Sequence, residues 1–256
     1  MTQLFSDLVG KTAFITGASG GLGQRFATVL AEHGVNVAIA ARRLDALSTL
    51  ADQLRTPQRA ALPIQLDVTD AGSIRSAVAT AVRELGRIDI LVNNSGVTVS
   101  KPILEQTEAD WDHVLDTNLK GAFLMATEVG RHMRDSGRGG SIINIASVLA
   151  LRQASHIGPY AASKAGLSQL TKQLALELAR HQIRVNALAP GYLLTDINRE
   201  FFGTEPGKQM IKRIPQRRLG ELGDLDGPLL LLASDASRYM TGAVVPVDGG
   251  HLVSTL

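Results

Sequence analysis

The stretch TGASGGLG, residues 16–23, stands between a short apolar run, TAFITG at 12–17, and a segment of helical length. Gly17, Gly21 and Gly23 let the backbone turn tightly and approach a pyrophosphate group closely. The following helix would present free N–H groups and the positive end of its dipole to that anion. Glycine-rich turns are common, but this one follows a strand and opens a helix, so it predicts a dinucleotide-binding loop.

Apolar runs alternate with helical lengths along the rest of the chain. Such runs, bounded by turn residues, are typical of parallel strands buried on both faces. They predict an α/β fold, a Rossmann fold whose doubly wound seven-stranded parallel sheet has helices on both faces and right-handed crossovers. The seven predicted strands are 12–17, 35–41, 62–68, 88–94, 141–147, 184–190 and 243–248.

The chain length of 256 residues suits one large α/β domain. Because we find no linker, repeat or low-complexity segment, we expect residues 1–256 to form a single NAD(P)-binding domain. Residues 191–220 form a longer connection than usual after the sixth predicted strand, with a helix-like piece among Gly and Pro. This segment is predicted to be a substrate lid.

The composition argues against several classes of protein. There is no cysteine, which excludes disulfides, thiolate metal sites and cysteine nucleophiles. The six histidines show no metal-ligand spacing, so no metal is expected. Aromatic residues are 4% of the chain and the net charge is +2, which disfavours nucleic acid as a partner. The sequence shows neither a signal peptide nor an apolar run of membrane length, so we expect a cytoplasmic protein without membrane contact.

A tyrosine and a lysine lie four positions apart in PYAASKAG, residues 159–166. Pro159 suits the first turn of a helix, and on that helix Tyr160 and Lys164 share a face. The pKa of a free tyrosine is about 10, and a nearby cation lowers it by stabilising the phenolate. The spacing therefore predicts Tyr160 as a general acid and base. Ser147, at the carboxyl end of a predicted strand, could hydrogen-bond the substrate oxygen.

The end of the second predicted strand bears on the choice of cofactor. NAD-binding Rossmann proteins place an acidic residue there for the ribose hydroxyls, but this chain has Ala41 followed by Arg42 and Arg43. The small Ala41 leaves room for a phosphate that Arg42 can clamp. Two arginines at a helix N-terminus, where the dipole disfavours cations, also suggest a bound anion. We therefore predict NADP(H) over NAD(H), which remains possible.

The motifs together resemble those of a classical short-chain dehydrogenase/reductase. They occur in the order and spacing of that family over nearly the whole chain: TGASGGLG, NNSG (93–96), NLKG (118–121), INIAS (143–147), YAASK (160–164), PG (190–191) and VDGG (247–250). The resemblance implies a catalytic tetrad in which Asn118 joins Ser147, Tyr160 and Lys164. Asn118 would hold a water that connects Lys164 to solvent, and Lys164 would also bind the nicotinamide ribose.

The same resemblance implies most of the cofactor contacts. Asp67 and Val68 would flank the adenine, and Asn94 would lie under its ribose, a role compatible with tying adjacent strands together. The nicotinamide carboxamide would be bracketed by PGYLLT, residues 190–195. The predicted cofactor-binding residues are Gly17, Ser19, Gly21, Leu22, Gly23, Arg42, Arg43, Asp67, Val68, Asn94, Tyr160, Lys164, Pro190, Gly191, Leu193 and Thr195.

The expected activity is the interconversion of a ketone and a secondary alcohol by hydride transfer. The C-terminal segment is similar to sugar-acid and polyol dehydrogenases, including gluconate 5-dehydrogenase-like members, and also to 3-oxoacyl-carrier-protein reductases. A cofactor-sensing regulator built on the same fold is the alternative outside enzymes. By resemblance, the predicted helices at 112–136 and 160–180 would pair with their symmetry mates in a homotetramer.

Overall fold

Seven strands form one parallel sheet in the computed structural model of the chain, which describes residues 5–194 and 199–253. The strands are β1 (Thr12–Thr16), β2 (Asn36–Ala41), β3 (Ala61–Gln65), β4 (Ile90–Asn93), β5 (Gly140–Ile145), β6 (Ile183–Pro190) and β7 (Val244–Val247). Their order is β3-β2-β1-β4-β5-β6-β7, and every neighbouring pair is parallel. The predicted α/β Rossmann fold is therefore confirmed, and each predicted strand is found with ends displaced by up to three residues.

Helices cover both faces of the sheet. They are α1 (Gly21–Glu32), α2 (Leu44–Leu54), α3 (Ala71–Leu85), α4 (Glu108–Leu115), α5 (Gly121–Asp135), α6 (Gly158–Leu178), α7 (Arg199–Gly203), α8 (Glu205–Lys212) and α9 (Asp226–Ala233). Successive residues of β1 point to opposite faces. Ala13 and Ile15 pack with buried side chains of α1, α2 and α9, whereas Phe14 packs with those of α3, α5 and α6. The sheet thus separates two apolar cores.

One predicted helix is interrupted. The sequence predicts a continuous helix at 112–136, but the structure has α4, then a π-helical turn at Asp116–Lys120, then α5. Asn118 lies in this turn and is fully buried. A π-helical turn has one more residue per hydrogen-bonded ring than an α-helical turn, and such turns are frequent at functional sites. Its presence at Asn118 therefore supports a functional role for this residue.

The winding of the sheet reverses between its central strands, β1 and β4. The Thr16 hydroxyl at the end of β1 accepts hydrogen bonds from the backbone N–H groups of Asn94 and Ser95, both at 3.0 Å. The Asn94 side chain donates to the carbonyl oxygens of Thr16 and Gly17, at 3.0 and 3.2 Å. In open α/β sheets such a switch point is where ligands bind.

The long connection after β6 is tied at its two ends. The Leu194 N–H donates to the Gly220 carbonyl at 2.8 Å, and the Gly220 N–H donates to the Tyr192 carbonyl at 3.0 Å. Helices α7 and α8 lie between these ties. The predicted lid at 191–220 therefore begins and ends at one place on the sheet edge, although residues 195–198 lie outside the described part.

None of the helices in the described part of the chain is both long and apolar enough to cross a membrane. No group of three or more His, Asp or Glu side chains there could hold a metal ion.

A buried chain of polar side chains connects the sheet to the helices of one face. The Asn93 amide donates to Asn144 Oδ1 at 2.9 Å and to the Ala122 carbonyl at 3.2 Å. Asn144 in turn donates to Thr171 Oγ1 at 2.9 Å, and Thr171 donates to the Leu167 carbonyl. All three side chains are buried. Since water cannot reach them, each donor depends on its protein acceptor.

We expect Thr171→Val to lower the free energy of unfolding by about 1–3 kcal/mol, because the Asn144 amide would lose its acceptor in the interior. Thr49→Val is the matched control: Thr49 also bonds a carbonyl four residues earlier in a helix, but it is exposed. The control should change the free energy by less than about 0.5 kcal/mol. Urea denaturation measures both, and equal effects of the two substitutions would contradict the expectation.

Candidate active site

The glycine loop packs tightly against the switch point between β1 and β4. Gly17 has φ +66°, a backbone angle that side chains disfavour. A Cβ at Gly23 would overlap the carbonyl oxygen of Gly17 and lie 2.6 Å from the amide nitrogen of Asn94. The third residue of α1, packed so close to the strand end, must therefore be glycine. This contact fixes the N-terminus of α1 beside the loop.

A cavity of about 840 Å³ opens beside this loop. Seven predicted cofactor contacts belong to its wall: Gly17, Ser19, Arg42, Arg43, Asp67, Val68 and Asn94. The small residues Gly20 and Ala41 line the same wall. Arg43 bridges two parts of the wall, because its Nη2 donates to the Ser19 hydroxyl at 3.3 Å. The cavity is thus large enough for a nucleotide and carries two guanidinium groups at one end.

Asp67 also lines this nucleotide cavity, near Arg42. Its Oδ1 accepts hydrogen bonds from the N–H and the hydroxyl of Thr69, at 2.9 and 2.7 Å. These bonds, with a smaller contribution from the charge of Arg42, hold the pKa of Asp67 below its ordinary value. The carboxylate therefore stays ionised at neutral pH and presents a hydrogen-bond acceptor to the cavity.

Ser147 and Tyr160 meet at the carboxyl edge of β5. Ser147 is buried in the turn after that strand, where its Oγ accepts a hydrogen bond from the Leu149 N–H at 3.1 Å. Its side chain is also hydrogen-bonded to that of Tyr160, which lies in the first turn of α6. The serine and tyrosine of the predicted tetrad thus form one hydroxyl pair.

Lys164 is buried below Tyr160 on the same face of α6. Its Nζ lies 5.6 Å from the centre of the Tyr160 ring and donates to the Ile145 carbonyl at 2.7 Å. No carboxylate pairs with Lys164 in the part of the chain that the structure describes. Burial alone lowers the pKa of Lys164 to about 8.

The pKa of Tyr160 shifts in the opposite direction to the one the spacing predicts. Burial raises this pKa, the hydrogen bond with Ser147 lowers it in part, and Tyr192 raises it further. The expected lowering by Lys164 is therefore wrong for the groups that the chain itself supplies. The physical reason is that both groups are desolvated, which disfavours the charged forms of the phenol and of the amine.

Both the oxygen and the nitrogen of the Asn118 side-chain amide form hydrogen bonds with protein groups. Its Oδ1 accepts from the Val97 N–H at 2.8 Å, and its Nδ2 donates to the Val97 carbonyl at 2.9 Å and to Ser163 Oγ at 3.0 Å. Ser163 bonds the Tyr160 carbonyl at 2.7 Å. The side chain thus couples the segment after β4 to the start of α6. The predicted role of Asn118 in holding a water remains untested.

A second cavity, of about 480 Å³, lies between Ser147, Tyr160 and Lys164 and the segment after β6. Leu22, Asn94, Pro190, Gly191 and Leu193 from the predicted set also line it. Gly21 and Gly23 line neither cavity and shape the loop instead. Thr195, the remaining predicted contact, lies outside the described residues.

Tyr192 is the main residue of this cavity that the motif analysis missed. It is half-buried in the wall, and its ring centre lies 6.0 Å from that of Phe202 and 5.4 Å from that of His251. Burial raises its pKa, an effect that the nearby Arg152 opposes. The only signal in the sequence is an aromatic residue directly after PG at 190–191.

Comparison with known proteins agrees with this geometry. A protein-family model described as enoyl-(acyl carrier protein) reductase matches residues 17–251. The 2-dehydro-3-deoxy-D-gluconate 5-dehydrogenase of Dickeya dadantii is 38% identical over 96% of this chain and 97% of its own. The chain belongs to the short-chain dehydrogenase/reductase family. It is an NAD(P)-binding family of oxidoreductases, and the relatives that match along the full chain act on CH–OH groups.

Other members of the short-chain dehydrogenase/reductase family are nearly as similar. The 3-oxoacyl-[acyl-carrier-protein] reductase of Staphylococcus epidermidis is 36% identical over 94% of this chain and 99% of its own. A solved structure of gluconate 5-dehydrogenase from Burkholderia cenocepacia, in complex with NADP and tartrate, superposes with a TM-score of 0.93. It is 36% identical and covers 99% of this chain and 100% of its own.

We expect the burial of Lys164 to cost stability in a pH-dependent way. The pKa of Lys164 falls from 10.5 to about 8 on folding, so the unfolded chain binds more protons between these values. Below pH 8 the full cost, on the order of 3 kcal/mol, opposes folding, and it fades as the pH rises toward 10.5. Lys164→Met should therefore be more stable than the parent chain at pH 7, and this difference should shrink at higher pH.

Urea denaturation at pH 7, 8, 9 and 10 without added cofactor measures this difference. Lys172→Met is the matched control, since Lys172 is an exposed lysine of the same helix. The control should show no such pH dependence. A stability difference between Lys164→Met and the parent that stays constant over this range would refute the assignment of a buried, uncompensated amine.

Proposed function

We propose that the chain is an NADP(H)-preferring oxidoreductase that interconverts a ketone and a secondary alcohol. The observation that carries the proposal is the position of Ser147, Tyr160 and Lys164 in one cavity that adjoins the nucleotide cavity. Asn94 and Gly96 belong to both walls, so a nucleotide in the first cavity would extend toward the hydroxyl pair in the second. The cofactor supplies the hydride in carbonyl reduction and accepts it in alcohol oxidation.

Tyr160 and Ser147 handle the proton and the charge on the substrate oxygen. During carbonyl reduction Tyr160 donates its phenolic proton to the oxygen, and in the reverse direction the phenolate removes the proton from the alcohol. The Ser147 hydroxyl donates a hydrogen bond to the same oxygen and stabilises its developing charge. Because burial raises the pKa of Tyr160, the phenol is protonated at neutral pH and ready for the reductive direction.

Lys164 and Asn118 support Tyr160. The Lys164 ammonium below the ring stabilises the phenolate when it forms and would bind the nicotinamide ribose. The amide of Asn118 fixes Val97 and, through Ser163, the first turn of α6 that carries Tyr160. We infer that this side chain positions the tyrosine.

We expect Tyr160→Phe to reduce turnover by at least about 100-fold, because the substrate oxygen loses its proton donor. Cofactor binding and the melting temperature should change little. Tyr239→Phe is the control, since Tyr239 is the same residue type in a fully exposed position. Steady-state kinetics and cofactor fluorescence titration measure the two properties, and near-normal turnover in Tyr160→Phe would remove this tyrosine as the proton donor.

The preference for NADP(H) rests on the basic end of the nucleotide cavity. Ala41 leaves space at the end of β2, and Arg42, Arg43 and Ser19 surround that space. The bond from Arg43 to Ser19 holds one guanidinium over the glycine loop, whereas Arg42 lies on the side of Asp67. A ribose 2′-phosphate between two guanidinium groups can be bound by charge-assisted hydrogen bonds from both.

We expect the parent chain to show a higher kcat/KM with NADPH than with NADH. Arg42→Asp should abolish or reverse this preference, because a carboxylate repels the phosphate and accepts bonds from ribose hydroxyls. Arg75→Asp, a change of equal charge at an exposed position of α3, should leave the preference unchanged. Kinetics with both cofactors measure the ratio, and a parent chain that prefers NADH would contradict the assignment.

For the substrate we propose a sugar acid, a polyol or a similarly small carbonyl compound. No Asp or Glu is among the described residues that line the substrate cavity, so a substrate carboxylate meets no repulsion there. Two of the relatives reported above are named for sugar acids, and tartrate, bound in one of them, is a hydroxy acid. A 3-oxoacyl thioester is the alternative within the enzyme class, supported by the carrier-protein reductases among the relatives.

A panel of 5-keto sugar acids, polyols and 3-oxoacyl thioesters, each assayed with both cofactors, tests the substrate assignment. Faster turnover of the thioesters would overturn the sugar-acid proposal and favour the reductase alternative. Tight binding of reduced cofactor without turnover of any carbonyl compound would instead favour a cofactor-sensing regulator. The intact Ser147, Tyr160 and Lys164 constellation argues for turnover.

We propose further that residues 1–256 form one nucleotide-binding domain with a substrate lid at 191–220, located in the cytoplasm. A homotetramer is proposed because α5 and α6 leave apolar side chains exposed, among them Phe123 and Leu176. Light scattering at micromolar concentration measures the mass of the assembly, and a monomer mass would overturn this proposal.

A further inference from the structure

A third cavity lies at the opposite edge of the sheet, where β1, β4, β5 and β6 begin. Its volume is about 1130 Å³, larger than that of the nucleotide cavity. The eight residues of β6 separate this edge from Gly191, a distance of about 25 Å at the usual rise per residue. The cavity is therefore distinct from the candidate active site, and the proposed reaction makes no use of it.

Positive charge is concentrated on the wall of this amino-edge cavity. Five cationic side chains line it, against two carboxylates, those of Asp89 and Asp235. The wall thus carries an excess of three positive charges, although the net charge of the whole chain is only +2. Low-dielectric walls of one sign focus the electrostatic potential inside a cleft and attract counter-ions.

Both carboxylates are already paired. Asp89 forms an ion pair with Arg87 and accepts the Thr12 N–H at 2.8 Å, and Asp235 pairs with Lys11 at 3.3 Å. Three arginines of the wall remain without an ion pair in the described part of the chain: Arg138, Arg184 and Arg238. The charge of Arg184 also interacts with the carboxylates of Asp235 and Asp7, so the charges of Arg138 and Arg238 are the ones most available to a ligand.

Two of the cavity arginines have ordered guanidinium groups. Arg184 is held by the Ser237 hydroxyl at 2.7 Å and by the carbonyls of Leu232 and Ser234 at 3.0 and 3.1 Å. The Nε of Arg87 is buried and meets no hydrogen-bond acceptor among the described residues. Buried N–H donors of this kind are rare in native proteins. The guanidinium of Arg87 is held in place by its ion pair with Asp89.

We propose that the amino-edge cavity binds a small organic anion with at least two negative charges, such as a phosphate ester. Arg138 and Arg238 reach it from the exposed rim, and Arg87 and Arg184 meet it from the wall. Planar guanidinium groups bind phosphate and carboxylate oxygens with paired hydrogen bonds. Apolar side chains such as Val9 and Ile183 complete the wall and suit the carbon skeleton of an organic anion.

Isothermal titration calorimetry of the full chain with inorganic pyrophosphate, at low ionic strength and with saturating NADPH, tests the proposal. The nucleotide cavity also carries arginines, so a second titration uses the chain with Arg42→Gln and Arg43→Gln. We expect pyrophosphate to bind in both cases. A parallel titration with citrate distinguishes a site for phosphates from one that accepts polycarboxylates as well, and binding of either anion at this cavity supports the proposal.

Variants assign the binding to the cavity. Arg138→Gln combined with Arg238→Gln should raise the Kd by at least about tenfold. Arg75→Gln, a change at another exposed arginine that is far from this cavity wall, should not change it. Arg87→Lys keeps the charge beside Asp89 but removes the planar guanidinium, and should weaken binding several-fold. Melting temperatures confirm that each variant is folded. Absence of binding at millimolar anion, or an unchanged Kd in the Arg138/Arg238 double variant, would overturn the proposal.

Discussion

The reversal of winding between β1 and β4 is the constraint on which the rest of the molecule depends. Crossovers on either side of this point run in opposite directions, so the loops at the two strand ends part and leave a crevice. One hydroxyl, that of Thr16, binds two successive N–H groups after β4 and keeps the two strand ends in register. The glycine loop, the nucleotide cavity and the serine–tyrosine pair all lie along the edge that this contact fixes.

The interior of the candidate active site contains a buried amine, that of Lys164, with which no carboxylate of the described residues forms an ion pair. Lys164 has the Ile145 carbonyl as its acceptor, and the surrounding residues keep water away. A stable core would place an apolar side chain there, since an unpaired buried charge is among the most unfavourable groups in a protein. The buried Lys164 therefore lowers the stability of the fold at the position where the proposed reaction needs its charge, as is common at functional sites.

Local patterns were sufficient for the strands, the glycine loop and the shared face of Tyr160 and Lys164, because each depends on residues close in sequence. The π turn at Asp116–Lys120 could not be predicted in this way. It accompanies the hydrogen bonds between Asn118 and Val97, which lies twenty-one residues earlier. The helical periodicity of the sequence does not reveal a contact at that distance along the chain. The raised pKa of Tyr160 was missed for a similar reason: spacing shows which charges are near, whereas burial depends on the whole fold.

The paired hydrogen bonds that join Leu194 and Tyr192 to Gly220 have an evolutionary consequence. They close the connection after β6 at its base, so the entropy of loop closure changes only slowly with the number of residues between them. Changes in the length of the segment between them therefore leave the backbone bonds at its base in place. Under the proposed function, in which this segment is the substrate lid, a lineage would acquire a new substrate by rewriting some twenty-five residues while the Ser147 and Tyr160 hydroxyls keep their positions.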